Sequence, residues 1–145
     1  MTVKQALKLK NKLVKEITEE IQKAHSYNSV EVGTSRPYSS RESLERVSQL
    51  TKELVELKTK IHQANSPVYN MIFRLSELKS LVSKIKPLNC TEGTSTDYYS
   101  RRSENPPMMT SEISIIERDS MVKIMEDEIE SIQEELDTHN ALTHI

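Results

Sequence analysis

The sequence predicts an all-α protein: an antiparallel four-helix bundle of two long helical hairpins, with a small two-stranded β-ribbon in the connections. Three observations carry this. Four stretches space their apolar residues alternately three and four apart, which keeps them on one face of a helix turning every ~3.6 residues. The composition, 29% charged and 35% hydrophobic with one Phe and no Trp, suits long helices with narrow apolar faces better than a sheet. Both glycines and all five prolines fall between the four stretches, leaving each one unbroken. A length of 145 residues fits one domain, residues 1–145, with a modest core.

The first helix is expected over 2–25. Thr2 can cap it, and Gln5 stands three residues on, where a capping box needs it. Val3, Leu7, Val14, Ile17, Ile21 and Ala24 form its seam, with Lys10 in a slot that asks for an apolar residue. Ala6, Leu9 and Leu13 widen the face, as in a helix that touches two neighbours. The connection 26–40 contains Gly33 and Pro37, and within it Val30-Glu31-Val32 alternates like a short strand.

The second helix, 40–64, starts at Ser39 or Ser40 and carries the seam Leu44, Val47, Leu50, Leu54, Leu57, Ile61 and Ala64. Asn65-Ser66-Pro67 makes a corner, in which Ser66 can cap and Pro67 suits the first helical position. The third helix, 66–86, follows with Val68, Met71, Leu75, Leu78, Val82 and Ile85, and Pro87 ends it. So short a corner makes the second and third helices antiparallel neighbours. Residues 87–111 are a polar loop. After it, Glu112-Ile113-Ser114-Ile115-Ile116 alternates again and is expected to pair with Val30-Glu31-Val32 as the ribbon. Asp119 or Ser120 would then cap the fourth helix, 120–137, with the seam Val122, Met125, Ile129, Ile132 and Leu136.

Charge agrees with this order. Lys4, Lys8, Lys10, Lys12 and Lys15 make the start of the first helix basic, while Glu126, Asp127, Glu128, Glu130, Glu134, Glu135 and Asp137 make the end of the fourth acidic. An up-down-up-down bundle lays these two ends side by side; otherwise each field faces another subunit. The net charge of −2 gives no basic excess for nucleic acid, so no nucleic-acid partner is expected. No stretch approaches the roughly 20 apolar residues of a membrane span, and no secretory signal is read. Cys90 is the only cysteine, which excludes a disulfide within the chain and is compatible with a reducing, cytoplasmic setting.

The topology sorts candidate site residues to two ends of the bundle. The connections 26–40 and 87–111 bring Arg36, Tyr38 and Arg41 toward Tyr98, Tyr99, Arg101 and Arg102. Arginine forks beside aromatic rings can hold phosphates, carboxylates, stacked bases or a protein partner; the alternative is a solvated basic loop. At the other end, His62, His139 and His144 stand with Asn65 and Asn140. Three imidazoles can bind zinc, although their spacing matches no metal motif. Catalysis has no handle: G-x-S-x-G, H-E-x-x-H and a phosphate-binding glycine loop are all absent from the sequence. Neither an enzyme nor a cofactor is expected.

Several phrases together resemble the septicolysin-like family of small bacterial helical proteins. They are Ala6-Leu7 opening a Lys-rich helix, Ile61-His62-Gln63-Ala64-Asn65 at the corner, Tyr99-Ser100-Arg101 leading through Glu112-Ile113 into the last helix, and Asn140 in the tail. Ala141 stands where family members carry Trp, and Pro106-Pro107 is inserted before the second strand-like segment. The resemblance implies a helical-hairpin fold with a small ribbon, together with self-association, and supplies no catalytic residues. The leading expectation is therefore a homo-oligomeric protein that acts through protein–protein contacts. A membrane-active, cytolysin-like protein and a small metal- or ligand-binding enzyme are the alternatives.

Overall fold

The computed structural model describes residues 1–94 and 104–145, so Tyr98, Tyr99, Arg101 and Arg102 lie outside the described residues. Among the described residues the chain is mostly helical: α1 Val3–Tyr27, α2 Ser40–Ala64, a 3₁₀ turn Ser66–Val68, α3 Tyr69–Ile85 and α4 Ile115–Leu142. β1 Gly93–Thr94 and β2 Met108–Met109 form a two-stranded antiparallel ribbon, with Gly93 opposite Met109 and Thr94 opposite Met108. The residues group into two units, Met1–Tyr69 with Asp137–Ile145, and Asn70–Leu136.

In the first unit α1 and α2 form a helical hairpin. The Thr2 hydroxyl accepts from the Gln5 amide at 3.2 Å while the Gln5 side chain accepts from the Thr2 amide at 2.9 Å, which satisfies two orphan donors at once. Ser39 caps α2 by accepting from the Glu42 amide at 3.3 Å. The hairpin core is Ala6, Leu13, Leu50, Leu57 and Ile61, flanked by the half-buried Leu7, Leu9, Ile17 and Leu54. Leu50 is 1% exposed, a burial that stabilises by about 2 kcal/mol. The chain ends close this core. Val3 N donates to Thr143 O at 2.8 Å, Ile145 N donates to Met1 O at 2.9 Å, Thr2 and His144 make an antiparallel bridge, and Ile145 packs on the cluster.

This packing corrects the expected seam of the first helix. Val3 and Ala24 are buried as expected, but Ala6 and Leu13 complete the buried row, and Val14 and Ile21 are exposed. Small residues explain the rotation. At the connection end the Ser40 hydroxyl donates to the Ala24 carbonyl at 3.0 Å, both residues are buried, and Ser43 is buried one turn on. Alanine and serine admit this close approach; isoleucine in the same slot would hold the helices apart.

The ribbon is also corrected. It forms between the two ends of the polar loop, and not between Val30-Glu31-Val32 and residues 112–116. Thr34 N donates to Glu31 O at 3.0 Å, Gly33 takes φ +86°, and Val32 is wholly exposed, so two alternating valines lacked a face to bury. Residues 115 and 116 are helical. Ser114, with Glu117 three residues on, is the N-cap: its hydroxyl accepts from the Glu117 amide at 3.1 Å. α4 thus begins at Ile115, before the expected Asp119 or Ser120, and continues past residue 137 to Leu142. Asp119 pairs instead with Arg118 at 3.0 Å. At the corner, 66–68 is a 3₁₀ turn and α-helix starts only at Tyr69.

In the second unit Leu78, Val82, Cys90, Val122 and Leu136 are buried. Polar ties supplement this small set. Arg74 forks onto both oxygens of Glu128 at 3.0 and 3.1 Å, Lys86 meets Glu126 at 2.8 Å, and Arg118 donates to Leu88 O at 3.1 Å. Beside the ribbon, one Glu92 oxygen accepts from the Ser111 amide at 2.9 Å and from its hydroxyl at 2.6 Å. The Ser111 hydroxyl first, and its amide second, hold Glu92 below the usual carboxylate range.

Candidate functional site

The α1–α2 hairpin has two unlike sides. On one, charged and aromatic groups are matched. Glu16 lies 3.7 Å from Lys12 and 3.9 Å from Arg46, and Glu20 lies 3.2 Å from Lys23. Lys23, followed by the Ser43 hydroxyl, keeps the Glu20 carboxyl below its ordinary range. The Lys23 ammonium sits 4.8 Å from the centre of the Tyr38 ring, which tilts against Tyr27 at 5.5 Å.

Two of the sequence-predicted residues serve this side and the helix end. Arg36 donates through Nε to Tyr27 O at 3.0 Å and through Nη2 to Asn28 O at 3.2 Å. A cation on the last carbonyls of α1 is where the helix dipole favours it. Tyr38 is engaged with Lys23 and Tyr27. Both are thereby occupied in closing the connection. Arg41 is exposed and lines a groove with Leu44, Glu45 and Ser48.

That groove belongs to the other, apolar side. Through Asn28, Ser40 and Leu44 it adjoins a second groove, which Ile21, Ala24 and His25 line with the same three residues, so these two helices present their apolar residues in one direction. Val14 and Leu7 precede Ile21 by seven and fourteen residues, close to whole turns, and share its stripe. Exposure is 44% at Val14, 36% at Ile21 and 54% at Leu44, whereas Leu7 is half-buried. Toward the termini Leu7 lines a further groove with Lys4, Lys8, Asn11, Asp137 and Asn140. Sequence reasoning assigned Val14, Ile21 and Leu44 to the core. The signal of a second role was the widened face made by Ala6, Leu9 and Leu13, which leaves one apolar stripe over once the other meets α2.

Two of the three histidine rings have side-chain partners, and the third histidine takes part through its backbone. The Tyr69 hydroxyl is hydrogen-bonded to His62 Nδ1 and lies 3.3 Å from His62 O. His139 Nε2 lies 3.2 Å from the Asn65 side-chain oxygen, an acceptor, so Nε2 carries the proton; Nδ1 takes up Thr143 Oγ1 at 3.1 Å. This ties the last turn of α4 to the corner after α2. His144 lies in the bridge with Thr2. Among the described residues no group of three or more His, Cys, Asp or Glu side chains is placed to hold a metal ion.

Cys90 is buried, with Sγ 3.4 Å from Leu88 O. No helix among the described residues is long and apolar enough to cross a membrane. The chemistry open to the apolar side is contact with another apolar surface, since aliphatic side chains form its centre and polar ones its rim. No protein family, curated protein or solved structure matches the chain.

Proposed function

We propose that this chain is a non-enzymatic helical protein that self-associates and acts through protein–protein contacts. The observation that carries the reading is the exposure of Val14, Ile21 and Leu44 along one side of the α1–α2 hairpin, opposite a side taken up by ion pairs. Two helices make one layer, and an apolar layer is stable when a second layer covers it. On this reading the four-helix bundle implied by the repeated spacing is completed by assembly. Resemblance to the septicolysin-like family carries the same implication, and a single reduced thiol at Cys90 suits a cytoplasmic setting.

Size exclusion with light scattering tests the reading on the full chain. A mass at a whole multiple of 16.7 kDa is expected. A particle of 16.7 kDa at every concentration up to the millimolar range rejects it.

A further inference from the structure

Where the chain ends meet, the first unit forms a groove of about 370 Å³ between the start of α1 and the last turns of α4. That volume is at the low end of the roughly 300–1,000 Å³ of ligand sites, so a small occupant fits it. The walls are held in place. Val3 N donates to Thr143 O and Ile145 N donates to Met1 O, while the His139 ring ties the α4 wall to Asn65. Lys4, Leu7, Lys8 and Asn11 fall at i, i+3, i+4 and i+7 and so share one face of α1. Asp137 and Asn140 line the groove from α4.

The polar lining is largely unused by the chain itself. Lys12, Lys15 and Lys23 of α1 meet Glu16, Glu19 and Glu20, but Lys4 and Lys8 form no ion pair among the described residues. Neither Asn11 nor the half-buried Asn140 makes a side-chain hydrogen bond among them. Two ammoniums one turn apart can share a doubly charged head, and the two amides add donors. Asp137 contributes the one negative charge of the lining. A carboxylate has about four acceptor sites, so a bond elsewhere leaves it able to accept from a ligand. Two positive charges and one negative, with Leu7 as the apolar contact, oppose a long polyanion and suit a small molecule charged at both ends.

We infer that this groove binds a small zwitterionic phosphate monoester, an ammonioalkyl phosphate, with its phosphate on Lys4 and Lys8 and its ammonium toward Asp137. Asn11 and Asn140 donate to the phosphate oxygens. A phosphate monoester carries about −1.5 to −2 near neutral pH and so answers both ammoniums, where a carboxylate or a phosphodiester carries a single charge. The diester head of a membrane lipid is therefore the poorer match. The site lies apart from the apolar side of the hairpin that carries the proposed self-association.

Titrating the isotope-labelled full chain with O-phosphoethanolamine at constant ionic strength, followed by NMR, tests it. The side-chain amide signals of Asn11 and Asn140 should shift together and saturate, with a dissociation constant in the millimolar range or below. Ethyl phosphate, which lacks the ammonium, should bind about threefold more weakly. Lys4→Gln combined with Lys8→Gln should weaken binding about tenfold or more. Lys58→Gln combined with Lys60→Gln, on exposed positions of α2, should leave it unchanged. Asp137→Asn should bring the two phosphates to equal affinity. Lys4 and Lys8 are exposed, so helix content by circular dichroism should match wild type.

Four results overturn the inference. Shifts that do not saturate well above the millimolar range remove the site. Binding that survives Lys4→Gln with Lys8→Gln places the ligand elsewhere. Equal wild-type affinity for O-phosphoethanolamine and ethyl phosphate rejects the zwitterionic class. Sedimentation with phosphatidylethanolamine vesicles, without binding of the free monoester, assigns the groove to a lipid diester instead. Each outcome reads the same whether the chain is a monomer or an oligomer, so failure here is separate from failure of self-association.

Discussion

The α1–α2 hairpin and the unit of residues 70–136 are held by different means. In the hairpin, Ala6, Leu13, Leu50, Leu57 and Ile61 form a continuous buried row, both helices have side-chain caps, and one interhelical hydrogen bond, Ser40 to Ala24, is buried. The second unit buries Leu78, Val82, Cys90, Val122 and Leu136 and adds the Arg74–Glu128 fork and the Lys86–Glu126 pair, both largely exposed. Apolar burial is insensitive to pH and to moderate salt; exposed ion pairs depend on both. The two regions should therefore fail under different conditions.

The largest effect is expected in the hairpin core. Leu50→Ala leaves a cavity at a site that is 1% exposed and should lower stability by about 3 kcal/mol, read as a shifted urea midpoint. A loss under about 1 kcal/mol would show that the row is looser than its burial implies. Next is Ser40→Ala, which removes the buried donor to Ala24 O. It should cost about 1 kcal/mol and speed hydrogen exchange near residues 24–28.

Thr2→Ala should have a similar or slightly smaller effect, about 1 kcal/mol, because it removes the capping-box hydroxyl while the Val3–Thr143 backbone bond persists. Faster exchange confined to the first turn of α1 is its signature.

The smallest effect, and the one that separates the regions, is acid sensitivity. The hydrogen bond from Arg74 lowers the Glu128 pKa, so this carboxylate adds stability above the ordinary carboxylate range and loses it as pH falls through its depressed value. Arg74→Gln should loosen α3 and α4 at neutral pH and make no difference once Glu128 is protonated. Hydrogen exchange at neutral and strongly acidic pH checks this. An equal effect at both would assign the role of Arg74 to packing of its stem.

Much of the helical layout was legible because its causes are local. The Thr2–Gln5 box, the Ser39 cap, and the Gly and Pro punctuation act within a few residues of where they are read. Ser114 with Glu117 is equally local, yet the alternation of Ile113 with Ile115 masked it; a cap followed by an acid three residues on is the stronger signal. The metal reading of His62, His139 and His144 depended on three side chains converging. Tyr69, Asn65 and Thr143, the partners that engage two of these rings, come from separate elements or a different turn. Arg36 was legible as a cation in a connection but not as the group that closes α1, because its acceptors lie eight and nine residues back.

By itself the sequence determined the helices, where most of them start and stop, and that the first carries more apolar surface than one narrow seam needs. Those properties follow from backbone hydrogen bonding and residue spacing, which are settled within a turn or two. Only the tertiary structure decided which stripe of α1 faces α2. Ala6, Leu13 and Ala24 won that place over Val14 and Ile21 because the small Ala24, Ser40 and Ser43 let the two helices approach closely. That choice depends on the shape of a helix far along the chain, and it is what leaves an apolar stripe exposed.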